Sequence, residues 1–291
     1  SIKSKPMSLI LQNGKDKSFL INFLDTPGHP NFSDEINSSF RLVDGVIIVV
    51  DSVEGVMLHT EKIIKAAIKE SLDIVLCINK IDRLVLELKL PPLDAFHKIK
   101  YIIDDFNRII NENLHFSNKE FKKNHFVAPD QGSVLFASST YGMIFSLESY
   151  AKKYNEVYGS NVDVKTFSKL LWGDIFYNPT NKKFLRKPPP NRNLQRSFVE
   201  FILEPMYKIM GYTVSEEKQN LEQILSKLGI YLKNSEYKLD PKPLLRLVCQ
   251  KFYGHIFSLV DVLQEKVVNS AEGGKIKVNK NFIIDCKKLF R

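Results

Sequence analysis

The chain has 291 residues, of which 44% are hydrophobic and 26% charged, with a formal net charge of +9. These values are ordinary for a soluble globular protein and leave room for two modest domains or one large domain with an insertion. No apolar run is long enough to cross a membrane and no secretory segment is visible, and the opening SIKSKPMSLIL reads as the middle of a longer pattern.

In chain order, Met7 to Leu11 reads as a strand, Asn13-Gly14 as a turn and Ser18 to Leu24 as a second strand, so a hairpin is expected. A helix follows over Phe32 to Val43, with Ser33-Asp34-Glu35 as its acidic start. Gly45 to Val50 and Ile74 to Ile78 are continuous β-branched runs suited to parallel strands buried on both faces, and Val134 to Ala137 is a shorter one. Between them, Thr60 to Leu72 and Pro91 to Ile110 carry apolar residues at helical spacing. Strands alternating with helices predict a three-layer α/β sheet, mostly parallel.

Asn111 to Gln131 is polar and without period, and is expected to be a loop. Beyond Tyr150, Asp163 to Trp172 reads as helix, Asp174 to Lys187 as a hairpin turning at Asn178–Asn181, and Pro188 to Pro190 as a stiff spacer. Helical segments are expected near 195–211, 216–228 and 242–268, and AEGGKIKVNK as a tail flexible at its glycines. The three cysteines have no paired spacing; Cys77, inside DIVLCINK, is expected to be a buried strand thiol in a reducing, intracellular setting. The six histidines lack metal spacing, and His97, His115, His125 and His255 are expected at the surface or in packing. The positive charge suits work near nucleic acid; solvated helix faces explain it equally well.

Ligands of open α/β sheets sit at the carboxyl ends of the strands. Three proposed strands end in polar signatures: Asp25-Thr26-Pro27-Gly28-His29, Asn79-Lys80-Ile81-Asp82 and Ser138-Ser139-Thr140. The first alone is a turn, the second alone a solvated loop, and the third alone says almost nothing. Together, in this order, they describe a guanine-nucleotide pocket. An acid after an apolar strand holds Mg2+, often through water, and a glycine beside it lets a backbone N–H approach the last phosphate. An Asp after Asn-Lys accepts two hydrogen bonds from the guanine edge, for which adenine has no matching donors. His29, directly after Gly28, is positioned to orient an attacking water. The phosphate loop G-x-x-x-x-G-K-[ST] is absent; Gly273-Gly274-Lys275 imitates it without the first glycine, the hydroxyl residue or a preceding strand. The loop and its strand are therefore expected upstream of Ser1.

The motifs DTPGH and NKID, with the run RLVDGVIIVVDSVEGVMLHTE, resemble the translational GTPases of the ribosomal translocase type, elongation factor two. NFSDE, NKIDRLVLELKLPP, LLWGDIFYNPTNKKF and QRSFVEFILEPMYKI are more similar to the spliceosomal branch, the GTPase subunit of the U-five small nuclear ribonucleoprotein. The resemblance covers about residues 1–268. It implies a P-loop-type GTPase domain over 1–143 lacking its first strand and phosphate loop. It further implies an α+β insertion over 144–241, helices returning over 242–268, and a linker or tail over 269–291. It makes Asp25, with Thr26 and Pro27 beside it, the magnesium-side acid, Gly28 the last-phosphate sensor and His29 the catalytic residue. Asn79, Lys80 and Asp82 would read guanine, Ser138 and Ser139 would close over it, and Ser1 falls where the family has a magnesium-touching hydroxyl.

The implied cofactors are GTP or GDP and Mg2+. The implied activity is hydrolysis of GTP to GDP and phosphate by the full-length protein, controlling RNA unwinding in pre-mRNA splicing; this segment alone is expected to be inactive. Implied partners are a large central scaffold protein, an RNA helicase and small nuclear RNA, with no membrane and no homo-oligomer, in the nucleus. The alternatives are a cytoplasmic ribosomal translocation GTPase and a scaffold module that holds nucleotide without hydrolysing it.

Overall fold

The structure, a computed structural model, describes residues 2–114, 126–188, 194–216, 218–254 and 256–281. The alternation at the start of the chain gives the expected hairpin: β1 (Lys5–Gln12) pairs antiparallel with β2 (Ser18–Asp25), from Lys5↔Asp25 to Gln12↔Ser18. Asn13 builds the turn, its side-chain oxygen accepting the N–H groups of Lys15 and Lys17 at 3.0 Å each. One hairpin face carries Met7, Leu9, Leu11, Phe19, Ile21 and Phe23; the opposite face carries Ser8 hydrogen-bonded to Asn22. A 3-10 turn, Pro30–Phe32, then leads into α1 (Ser33–Phe40).

The main sheet is built from β3 (Gly45–Asp51), β4 (Asp73–Asn79), β5 (Val134–Ser138) and β6 (Met143–Phe145), in that spatial order. β3, β4 and β5 are parallel and β6 returns antiparallel on the edge. β4 shows why its sequence is apolar throughout. Leu76 and Ile78 face one core, with α2 (Leu58–Lys69), whereas Val75 and Cys77 face a second. The short α3 (Asp82–Leu86) follows β4, and α4 (Pro92–Asn113) adds Phe96, Ile99, Ile103, Phe106 and Ile110 to the first core. Burial pushes the Cys77 thiol up to about 12, which makes it an inert packing residue as expected.

The remaining elements are mostly helical. α5 (Leu147–Tyr158) was not anticipated; its start is a reciprocal cap in which Ser146 and Ser149 each accept the other's backbone N–H. α6 (Val164–Leu170) is capped by Asp163, and the hairpin of β7 (Phe176–Asn178) and β8 (Lys183–Leu185) turns where the sequence placed it. A π-helical turn, Val199–Leu203, opens into α7 (Glu204–Ser215). Pro205 has no N–H to give back to Phe201, and the Tyr150 hydroxyl donates to the Phe201 carbonyl instead. Then come α8 (Lys218–Lys227), α9 (Pro241–Tyr253), α10 (Phe257–Lys266) and α11 (Ser270–Asn281). α10 lays Leu259, Val262 and Leu263 on the second core, opposite α2 and α4, which completes the three expected layers.

Four expectations need correcting. The hairpin of β1 and β2 is a separate two-stranded sheet: among the described residues no backbone pairing joins it to β3. It is held instead at its turn, where Asn13 Nδ2 and the Gly14 N–H donate to Gln264 and Asp261 of α10, and near Ser4, which bonds Glu35 and Ser39 of α1. The segment after Ile110 begins as helix, α4 running on to Asn113, whose amide donates to the Ile109 carbonyl; residues 115–125 of the expected loop lie outside the described residues. β3 is not buried on both faces along its length, since Val49 is 57% exposed. The described part of the tail is helical, over Ser270–Asn281. Gly273 comes so close to Asp44 that an added Cβ would meet its carboxylate at 2.2 Å, and Lys277 Nζ donates to the Leu42 carbonyl and Asp44. Docking without a side chain in the way offsets the poor helix propensity of two glycines.

Candidate functional site

The parallel register puts the last residues of β3, β4 and β5 side by side, Asp51 opposite Asn79 and Ile78 opposite Phe136. The two loops that follow β4 and β5 are tied to each other. Asn79 Oδ1 accepts the Ser139 N–H at 3.2 Å and the Lys80 N–H at 2.7 Å, and Asn79 Nδ2 lies 3.4 Å from the Ser139 hydroxyl. The Ile81 N–H donates to the Ala137 carbonyl. Ser138 is fully buried and its hydroxyl accepts the Tyr141 N–H, so it shapes its own loop, while Ser139 is exposed. Gly142, at φ +63°, turns the chain back into β6, and a Cβ there would strike the Gln250 side chain at 2.5 Å.

Asp82 is 6% exposed, and its Oδ1 is buried without a hydrogen-bond partner among the described residues. Such an acceptor costs about 1–3 kcal/mol unless a donor meets it. Its charge is felt nearby. Burial first, and then Asp82, raise the Tyr141 hydroxyl; the same two causes push the Cys249 thiol of α9 up to about 12. Sequence reasoning missed Asp51 and Ser52. Ser52 donates from its backbone to the Asn79 carbonyl and from its hydroxyl to the Lys80 carbonyl. Asp51 binds Lys80 Nζ and Arg83 Nη1, both at 2.9 Å. The available signal was a carboxylate ending the apolar run GVIIVVD, the same signal that singled out Asp25.

Asp25 ends β2 on the separate hairpin, and Thr26, Pro27, Gly28 and His29 follow it. Pro27 is buried and Thr26 half-buried; Asp25, Gly28 and His29 are exposed. No heavy atom lies within 4 Å of the place a Gly28 Cβ would occupy, which leaves open space for a ligand to approach the backbone. His29 Nδ1 accepts the Asn31 N–H at 3.2 Å. A neutral ring bonded in this way carries its proton on Nε2 and so offers a donor. Among the described residues no group of three His, Cys, Asp or Glu converges on a metal position, and Asp25 stands there as a single carboxylate. Ser1 lies outside the described residues. Gly273 and Gly274 lie within α11, far in character from a phosphate loop.

Residues 1–253 match the family model described as the elongation factor Tu GTP binding domain. The chain is 43% identical over 282 residues to the 110 kDa U5 small nuclear ribonucleoprotein component CLO of Arabidopsis thaliana, an alignment covering 97% of this chain and 28% of that protein. It is 43% identical over 283 residues to the pre-mRNA-splicing factor cwf10 of Schizosaccharomyces pombe, with the same coverages. It is 37% identical over 266 residues to the pre-mRNA-splicing factor SNU114 of Saccharomyces cerevisiae, covering 90% of this chain and 25% of that one. The chain thus spans about a quarter of the length of these curated relatives.

Proposed function

The chain belongs to the elongation factor Tu GTP-binding domain family, and from that premise we propose that residues 79–82 and 138–139 read the base of GTP or GDP. The observation that carries this reading is the buried, donorless Oδ1 of Asp82, at the end of a loop that Asn79 ties to Ser139. Guanine supplies a ring N–H and an exocyclic amine to such a carboxylate, and adenine does not. Lys80 lays its stem along the base, and the 138–139 loop closes over it.

At the phosphate end, Gly28 presents its backbone N–H to the last phosphate, and His29 orients water through Nε2–H. Mg2+, when bound, neutralises charge developing on the phosphates; Asp25, beside Thr26 and Pro27, would hold it through water, with Ser1 as a second candidate. The edge of β3, unpaired among the described residues, supports a further strand between β3 and β2, bringing the phosphate loop with it. Hydrolysis of GTP to GDP and phosphate is accordingly proposed for the full-length protein, with segment 1–291 alone inactive. In the same proposal, residues 1–143 are the nucleotide domain, 144–241 its insertion, 242–268 helices returning to it and 269–291 a linker.

For the full-length protein we propose a GTP-dependent switch in the spliceosome, acting in the nucleus through a large scaffold protein and an RNA helicase to control RNA unwinding. Similarity to the small nuclear ribonucleoprotein component CLO and the pre-mRNA-splicing factors cwf10 and SNU114 supports this branch over the ribosomal translocase. Asp82→Asn in the full-length protein tests the base reading. Affinity for GTP should fall about 100-fold while xanthosine triphosphate becomes the preferred nucleotide, because the amide meets that base's altered donors. Competition binding with both nucleotides decides it; an unaltered preference for GTP removes Asp82 from the pocket.

A further inference from the structure

Lys80 adopts a left-handed backbone conformation, φ +60°, which a non-glycine residue keeps only when its surroundings over-determine it. The surroundings here belong to the end of β3. Ser52 holds the Lys80 carbonyl at 2.8 Å and, through its N–H, the Asn79 carbonyl at 2.9 Å. Asp51 holds the side chains. Its Oδ2 receives Lys80 Nζ and Arg83 Nη1 at 2.9 Å each, while its Oδ1 accepts the Val53 N–H at 2.8 Å. Arg83 is fixed from its other side by Glu87 at 2.7 Å.

Asp51 is therefore the hub of the loop that contains Asp82, and it touches residues on both sides of it. Its side chain is 11% exposed, while its partners Lys80 and Arg83 are 47% and 27% exposed, so the carboxylate is the shielded member of the cluster. Burial would raise its carboxyl, but the Lys80 ammonium and the Val53 and Glu54 N–H groups outweigh that and hold it below the ordinary carboxylate value. It is ionised at neutral pH, the state in which it anchors both cations. A surface ion pair would restrain little; a shielded carboxylate with two cations and two backbone donors restrains the loop.

We propose that Asp51 is a positioning residue for base discrimination: by anchoring Lys80 and Arg83 it holds the 79–83 loop in the one conformation that presents Asp82 to both donors of guanine. The proposal rests on the reading of Asp82 given above. Its chemical signature is the exocyclic amine. Guanosine diphosphate carries that amine and inosine diphosphate lacks it, so a slack loop loses more with the first than with the second.

The test uses Asp51→Asn in the full-length protein, with dissociation constants for both diphosphates measured by competition. Affinity for guanosine diphosphate should fall about tenfold, the size of one hydrogen bond to a charged group, and its advantage over inosine diphosphate should shrink by at least threefold. Combining it with Lys80→Met should weaken binding by less than the product of the single effects, since both changes cut one link. If the asparagine variant fails to fold, Asp51→Glu, which keeps the charge and moves it by one methylene, carries the same comparison of the two diphosphates. Equal weakening of both nucleotides, or a change under twofold, overturns the role. The failure is separable from that of the base reading: a xanthosine switch in Asp82→Asn together with an unmoved diphosphate ratio here removes Asp51 alone.

Discussion

Ser138 closes a strand buried along its whole length, whereas Asp25 closes one that faces solvent at every second residue through most of its length. The two strand ends carry the two halves of the candidate site, and they are supported differently. The base-reading half grows out of the main core, and its two loops are cross-linked by Asn79, Ser52 and Asp51. The phosphate half sits on a hairpin with its own small sheet, held at the turn by α10 and near its start by α1. The loops proposed to read the base are thus tied to each other by the fold itself. The phosphate half has open space at Gly28 and an exposed His29.

The contrast is broken most directly in the core beneath the base loops. Phe136 is 1% exposed and stacks on Phe145 at 5.4 Å, with Phe198 at the same centroid distance. Its carbonyl neighbour Ala137 receives the Ile81 N–H, so the ring supports both loops. Phe136→Ala should cost about 3–5 kcal/mol, read as a lower denaturation midpoint, and should abolish guanine selectivity with it. A loss under about 1 kcal/mol would mean that the loops do not depend on this core.

The next effect is kinetic. His29→Ala removes an exposed ring that, among the described residues, meets the Asn31 N–H and approaches Phe32 at 6.0 Å with a tilt. In the full-length protein, single-turnover hydrolysis should fall about 100-fold, with GTP affinity within a few-fold and stability unmoved, the pattern of a contact made mainly in the transition state. Segment 1–291 alone, proposed above to be inactive, should show no measurable turnover in the same assay. If affinity collapses while the rate per bound nucleotide holds, His29 binds rather than orients.

The same contrast explains what could be read from the sequence. IVLCI declared itself as a doubly covered strand because both of its faces meet helices, whereas GVIIVV, read the same way, leaves Val49 57% exposed. α5 was hidden by its start: the cap is Ser146 with Ser149 in place of the acidic partner that marks such boxes. α11 was hidden by Gly273-Gly274, which locally argue against helix and are tolerated through a contact with Asp44, over two hundred residues away in sequence. Asp51 was passed over for a similar reason, since its partners come from the next strand's loop. Strand pairing is non-local too, so nothing in SFLINFLD shows that its sheet would be separate.

The smallest predicted effect lies on the hairpin. Leu20 is 67% exposed and pairs across the hairpin with Ile10, itself 75% exposed. The face they share also carries Ser8 hydrogen-bonded to Asn22, a polar pair that suits water. The apolar set of β2 lies on the opposite face, at Phe19, Ile21 and Phe23, so alternation assigns Leu20 to solvent whatever packs against the other side. Truncation there removes little buried area and one weak cross-strand contact. Leu20→Ala in the full-length protein should therefore cost about 0.5 kcal/mol or less, against several for Phe136→Ala, in paired denaturant titrations. A cost above about 2 kcal/mol, the size seen for a buried leucine, would show that this face is covered in the whole protein and that the phosphate half is held as firmly as the base half.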